Sequence, residues 1–154
     1  MLTGLQHTHN FLRWIIIIMM IWSVIEIIKG RREGARFEGQ ARKAFLFTLI
    51  AIHVQVLIGL GLYFSSEVVK MALNSSEMMS NSFLRFWAIE HIFGMVLAAV
   101  LITIGWSRAK RATDDRVKFK RIAFNYILGF IIILATIPWP FREMFSHYSW
   151  FPGM

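Results

Sequence analysis

Two histidines, His53 and His91, lie inside long apolar segments and are the residues of this chain best placed to bind a metal within a membrane. An ionisable side chain in lipid is expensive, so it is a candidate functional site by default. Counted from the outer ends of their segments, the two lie roughly 16 Å and 12 Å deep at about 1.5 Å per residue. The sequence therefore predicts that His53 and His91 bind one iron as axial ligands of a haem. Hydrogen bonds to backbone carbonyls, or to each other, are the alternative role.

Two arginines and a glycine fit the same hypothesis. Arg13 and Arg85 open the first and third apolar segments in the similar contexts NFLRW and SFLRFW. Haem propionates require cationic partners, which these arginines could supply; reaching out to lipid headgroups is the alternative. Gly94 follows His91 by one helical turn, where it leaves room for a porphyrin edge or serves close helix packing.

A second histidine pair, His7 and His9, precedes the first apolar segment. Two imidazoles two residues apart can bind one metal if the backbone is extended or irregular, although on a helix they would not share a face. Alignment of Arg13 with Arg85 places this pair roughly 15 Å farther outward than His91. We therefore treat His7 and His9 as a possible second metal site, for a second haem, copper or zinc. An exposed pair at the membrane surface is the alternative.

Glu90 is the carboxylate expected within the third segment. It precedes His91 and points about 100° away from it on a helix. Glu90 is therefore predicted as a catalytic group that relays protons near a quinone. Its structural alternative is a hydrogen bond to a neighbouring helix through Gln55 or Asn125.

These side chains must be positioned by membrane-spanning helices. The chain of 154 residues is 56% hydrophobic with a mean hydropathy of +0.55, which is typical of membrane proteins. Four segments reach the length needed to cross a bilayer: 11–28, 44–64, 83–106 and 122–139. The sequence thus predicts an all-α membrane protein whose single domain, 1–154, is an up-down bundle of four transmembrane helices. Facing helices of such bundles supply cofactor ligands.

The positive charge predicts the topology. Of the 17 Lys and Arg residues, six lie in 29–43 and seven in 108–121. Positively charged loops remain in the cytoplasm, so both termini are expected outside. We expect these loops to attract the lipid bilayer but not nucleic acid, because they lack interleaved aromatic residues and any nucleic-acid-binding module. There are no cysteines, which excludes thiolate metal sites and covalently attached c-type haem.

Several short motifs carry a resemblance to a known family. They are HTHNFLRW near the start, LIGLGLYF after His53, WAIEH at the opening of the third segment, RVKFKR, and the closing ATIPWP. Over Leu2 to Phe141 the chain resembles the small four-helix bacterial membrane proteins called cytochrome b. The resemblance implies haem b in the bacterial inner membrane. Larger b-type cytochromes commonly hold two haems with four histidines, whereas the fourth segment here has none, which favours one haem near the outer face.

The leading hypothesis is a b-type cytochrome that transfers electrons between quinol and a partner at the outer face. Its expected partners are the quinone pool and a respiratory complex or a second copy of the chain. Bis-imidazole ligation leaves no open iron position and so favours electron transfer over oxygen chemistry. Two alternatives remain open. One is a haem-free membrane protein that binds copper or zinc through outer-face histidines; the other is an accessory subunit of a respiratory complex.

Overall fold

The computed structural model describes residues 2–148 and 150, and its core is a bundle of four long helices. Each of the four is long and apolar enough to cross a membrane. The first two are α1 (Leu2–Lys29) and α2 (Gly39–Ser65), and the fourth is α6 (Asp115–Thr136). The third, Ser82–Lys110, is composite: α4 (Ser82–Arg85) continues through a π-helical turn (Phe86–Glu90) into α5 (His91–Lys110). Every regular element in the described residues is helical, as the sequence predicted.

The helix bounds differ from the predicted ones because local signals extend or end each helix. α1 begins at Leu2 rather than near residue 11, so the polar start of the chain is also helical. α6 begins seven residues before residue 122, where the Asp114 side chain accepts a hydrogen bond from the Val117 amide as an N-cap. It ends at Thr136 because Ile137 precedes a proline and takes an extended conformation.

The connection between α2 and the third helix contains a short helix, α3 (Glu67–Leu73), outside the four predicted segments. The Ser66 side chain caps it by accepting a hydrogen bond from the Val69 amide. Val69 and Ala72 are buried. α3 therefore packs onto the bundle rather than projecting from it.

Small residues and a few buried hydrogen bonds hold the helices together. α5 and α6 approach closely because Gly94, Gly105 and Gly129 have no side chains. A Cβ at any of these positions would overlap a side chain of the facing helix. Ser23 of α1 bonds Thr48 of α2 at 2.8 Å, and the buried Tyr126 hydroxyl donates to the Phe45 carbonyl at 2.9 Å. Large apolar side chains, meanwhile, cover much of the outer surface of the helices. Such a surface suits contact with lipid.

The up-down order places both chain ends at the same end of the bundle. The side chains of Arg13 and Trp14, in the first half of α1, both donate to the Trp150 carbonyl, at 3.0 and 3.1 Å. We call this the termini end, and the opposite end, with the two basic loops, the loop end. The sites below are located relative to these two ends.

Candidate functional site

A cavity of about 410 Å³ opens between the helices at the termini end. Its wall is formed largely by aliphatic side chains of α1, α2, α5 and α6. Polar groups converge on it from three helices, among them His9 and Arg13 of α1, Gln55 of α2 and His91 of α5. An apolar cavity with a few convergent polar groups is the usual form of a small-molecule or cofactor site.

His91 is held in a defined tautomer at the wall of this cavity. It is the first residue of α5, directly after the π turn, and its Nδ1 lies 2.8 Å from the Thr136 carbonyl oxygen. A carbonyl can only accept, so Nδ1 carries the hydrogen and the neutral ring keeps a lone pair at Nε2. The Phe86 and Trp87 rings, each 5.6 Å from the imidazole between centroids, fix its plane. An imidazole oriented by a carbonyl in this way is typical of metal ligands.

His9 faces His91 across the cavity. The two ring centroids lie 6.4 Å apart with an interplanar angle of 70°. Gly59 makes room for His9, because a Cβ at that position would lie 3.1 Å from the His9 ring. Gln55 anchors the same turn of α1 by donating from Nε2 to the His9 carbonyl at 2.9 Å. The expectation that His9 lies roughly 15 Å outward of His91 was wrong, because Arg13 and Arg85 are not at equivalent positions in the bundle.

Four buried side-chain polar atoms lack a hydrogen-bond partner within the described residues, and all belong to residues of the cavity wall. They are Nδ1 of His9, Nε of Arg13, Oε1 of Gln55 and Nε1 of Trp87. Burying a polar group without a partner costs about 1–3 kcal/mol, so such groups need an explanation. Their clustering at one cavity makes it the candidate binding site for a polar or metal-containing ligand.

The C-terminal segment covers part of this cavity. Arg13 donates to the Trp150 carbonyl, and Tyr148 lies in the cavity wall. Partial burial raises the pKa of the Tyr148 phenol above its ordinary value. Phe145 is fully buried against Phe86, with ring centroids 4.6 Å apart. These aromatic contacts fix the segment to the bundle and restrict access of water to the site.

His53 does not meet His91. It lies on the outer surface of α2, where its Nδ1 is 2.8 Å from the Leu49 carbonyl and its Nε2 is 3.3 Å from Thr103 Oγ1. It lines a separate open groove between α2 and α5 and is absent from the wall of the cavity. The predicted pairing of His53 with His91 on one iron is therefore not the arrangement found. The expected equal depth is not found either, because His53 contacts Thr103, which lies twelve residues, or roughly 18 Å, beyond His91 along the third helix.

Arg85 and Glu90 interact with each other instead of with the cavity. Arg85 Nε lies 2.7 Å from Glu90 Oε1, and Arg85 also donates to the Met79 carbonyl at 2.7 Å. The π turn places them five residues apart on one side, and both are partly exposed. Neither lines the cavity. Glu90 makes neither of the hydrogen bonds foreseen for it, because Gln55 bonds the His9 carbonyl and Asn125 bonds the Arg121 carbonyl. A proton relay through Glu90 remains a prediction.

Gly94 and His7 also differ from expectation. A Cβ on Gly94 would overlap the Thr136 side chain, so this glycine allows α5 and α6 to approach and does not face the cavity. His7 is exposed and lies at the rim. Because α1 is already helical at His7 and His9, the two rings point to different sides and do not form the irregular H-x-H site that we considered.

The sequence alone did not predict a cofactor-binding role for Gln55 or Tyr148, which both line the cavity. The sequence does indicate such a role for Gln55, since a polar side chain within an apolar segment is rare and tends to face the bundle interior. Tyr148 lies in the segment after the fourth helix, and no periodic pattern could place it. Its position depends on how that segment folds back over the end of the bundle.

The residues of this cavity fit a haem better than a bare metal ion. Zinc takes three or four protein ligands in a closed or catalytic site, but residues 2–148 and 150 contain no group of three or more His, Cys, Asp or Glu that could hold a metal. A haem iron needs only one or two protein ligands, because the porphyrin supplies four nitrogens. A metal bonded at about 2.0–2.1 Å to each of two imidazoles separates their centroids by roughly 6–6.5 Å. Ordinary edge-to-face ring contacts fall in the same range, so the unpartnered atoms carry as much of the argument as the distance.

The chain matches no protein-family model, and neither curated proteins nor solved structures include a significant match to it.

Proposed function

We propose that the protein is a membrane b-type cytochrome of the bacterial inner membrane, with both termini outside, in which one haem b binds in the cavity at the termini end. The single observation that carries the proposal is the pair of facing imidazoles, His9 and His91, in an apolar cavity whose buried polar atoms are left without partners. His53, the ligand expected from the sequence, is replaced in this proposal by His9.

Each residue of the cavity has a separate task in this proposal. His91 would hold the metal through Nε2, because Thr136 keeps the hydrogen on Nδ1. His9 would supply a second imidazole. Arg13 has an unpartnered Nε at the cavity wall, which suits a propionate. The aliphatic wall excludes water, which stabilises a buried porphyrin and limits proton access.

A haem held by two imidazoles supplies reversible one-electron transfer when bound. The ligand set leaves no position for oxygen or substrate on the metal, so the proposal is an electron carrier rather than an oxygen-activating enzyme. Quinol in the lipid is the proposed electron donor, and a protein at the outer face, either a respiratory complex or another carrier, is the proposed acceptor. The location of the cavity at one end of the bundle supports transfer on that side only.

The absorbance spectrum of the protein purified in lipid nanodiscs tests the proposal. We expect a Soret band and sharp reduced α and β bands, with about one haem per chain. His9→Ala and His91→Ala should each lose most of the haem, while helical content by circular dichroism stays unchanged. His53→Ala is the matched control, because it removes the same side chain from a neighbouring helix outside the cavity, and it should retain the haem.

Two outcomes would contradict the proposal. One is the absence of haem in protein expressed with adequate haem supply and reconstituted with excess hemin. The other is haem retained in both His9→Ala and His91→Ala but lost in His53→Ala, which would place the ligand on the groove side of α2. No observation in the described residues favours the copper or zinc alternative, since a third ligand is missing.

A further inference from the structure

The groove between α2 and α5 contains a histidine whose hydrogen bonding is incomplete. His53 Nδ1 lies 2.8 Å from the Leu49 carbonyl, so Nδ1 carries the hydrogen and Nε2 of the neutral ring must accept. The only group near Nε2 for which the structure gives a hydrogen bond is the Thr103 hydroxyl, at 3.3 Å. That hydroxyl lies 2.7 Å from the Ala99 carbonyl, to which it donates its one hydrogen. Nε2 therefore faces the outer surface with no donor among the described residues.

In the neutral ring, Nε2 is thus an acceptor for which the described residues supply no donor of their own. A hydrogen-bond donor from outside the chain would complete it.

The groove has the shape and position for a small aromatic donor dissolved in the bilayer. Its volume is about 340 Å³, and apart from His53 and Thr103 it is lined by small aliphatic residues: Val56, Val96, Ala99, Val100 and Ile104. Its openness to the outside gives direct access from lipid, because Val100 and Ile104 are also exposed on the helix surface. A lipid hydrocarbon tail could fill this space but could not donate to Nε2.

The groove is also adjacent to the proposed haem cavity. Val56 and Val96 line both, so one layer of valine side chains separates the two spaces. A molecule in the groove would therefore lie within short reach of whatever the cavity binds, without passing through water. Among donors soluble in the bilayer, this location suits one that can also give up electrons.

We infer that the groove between α2 and α5 is the quinol-binding site, in which a quinol hydroxyl donates a hydrogen bond to Nε2 of His53. The inference rests on the proposed function for its choice of a quinol over other phenols. It assigns to His53 a substrate-binding role in place of the metal-binding role suggested by the sequence.

Binding of an alkyl hydroquinone to the protein in phosphatidylcholine nanodiscs tests this site directly. The measurement is the ¹⁵N resonance of Nε2 in protein labelled at histidine, with His53 assigned by its loss in His53→Leu. We expect addition of the hydroquinone to shift this resonance upfield, as acceptance of a hydrogen bond does. The dimethyl ether of the same compound has the same ring and tail but no donor, and it should leave the resonance in place.

Three variants distinguish loss of the hydrogen bond to His53 from a change in the shape of the groove. His53→Leu should weaken hydroquinone binding about tenfold, which corresponds to the loss of one hydrogen bond in an apolar site. Val100→Phe should weaken it by a similar factor, because the larger ring fills the groove from its outer edge. Thr103→Val should change it by less than about twofold, since Thr103 already donates to Ala99.

Carrying out the titrations in the His9→Ala background, as well as in the wild type, separates failure of this site from failure of the haem proposal. Equal affinity for the hydroquinone and its ether, or unchanged affinity in His53→Leu, would overturn the inference. Tighter binding in Thr103→Val would also overturn it, because Thr103 would then be the donor to His53. A change of the His53 Nε2 resonance that depends on the number of chains per disc, and not on the hydroquinone, would also overturn the inference. A second copy of the chain would then occupy the groove.

Discussion

Gly94 provides a quantitative test of how α5 and α6 are packed. A Cβ at this position would overlap Cγ2 of Thr136 and would lie 3.1 Å from both its Cβ and its Oγ1. The overlap with Cγ2 is the dominant contact, and rotation about χ1 of Thr136 to relieve it would break the hydrogen bond from Oγ1 to the Ile132 carbonyl, so the helices themselves must give way. Overpacking of this kind costs about 1–3 kcal/mol. Replacement of glycine by alanine in a helix simultaneously gains up to about 1 kcal/mol.

With the full propensity gain, the net expectation for Gly94→Ala is a loss of roughly 0–2 kcal/mol in the free energy of unfolding. Gly61→Ala is the matched control, because its Cβ would meet nothing closer than a Leu5 methyl at 3.7 Å. The control shares the helix-propensity gain, so the difference between the two variants isolates the steric cost of about 1–3 kcal/mol. Unfolding in mixed micelles of increasing sodium dodecyl sulfate, followed by circular dichroism, measures both.

A second substitution tests the assigned cause. Thr136→Ser removes Cγ2 but keeps Oγ1, which bonds the Ile132 carbonyl at 2.8 Å. Most of the loss in Gly94→Ala should therefore be recovered in the double variant Gly94→Ala/Thr136→Ser. If Gly94→Ala is as stable as Gly61→Ala, or if Thr136→Ser recovers nothing, the reasoning from contact distance is refuted. Because the Thr136 carbonyl also orients His91, Gly94→Ala alone should in addition weaken haem retention.

Two further predictions concern electrostatics and topology. Arg13→Leu should lower the haem reduction potential, because a nearby cation favours the reduced form by about 1–2 kcal/mol for unit charges roughly 10 Å apart at an effective dielectric of about 20; Arg85→Leu should change it little, since Glu90 already neutralises Arg85. Spectroelectrochemical titration distinguishes the two, and a larger effect from Arg85 would contradict the placement of the cavity. Reporter fusions after Trp106 should behave as cytoplasmic and those after Phe141 as external, whereas the reverse pattern would exclude the proposed orientation.

The sequence was sufficient to predict the helical architecture. Four apolar runs of membrane length and two clusters of basic residues specify four helices long and apolar enough to span a membrane, with their connecting loops, because both signals are local and depend on composition alone. The sequence did not predict the short helix α3. Errors at helix ends arose where a polar start of the chain continued the helix, as in α1, or where a cap lay outside the apolar run, as at Asp114.

The sequence also identified the residue types of the site but not their partners. His9, His91 and Arg13 were named as candidates, and the structure brings all three to one cavity. His53 was paired with His91 on the basis of depth, yet its ring turns to the outside of α2. Counting residues gives a position along one helix, whereas the relative level of two helices and the direction of a side chain depend on how the helices shift and rotate against each other.

Tertiary structure alone decided that rotation. The close contact of Gly94 with Thr136 fixes α5 against α6, and the hydrogen bond from Gln55 to the His9 carbonyl fixes α2 against α1. These contacts join residues 42 and 46 positions apart in the chain. Apolar residues surround all sides of a membrane helix, so its sequence carries little periodic signal for the buried face. The arrangement of the four helices, and with it the facing of His9 and His91, follows from the packing of small residues and a few buried polar groups.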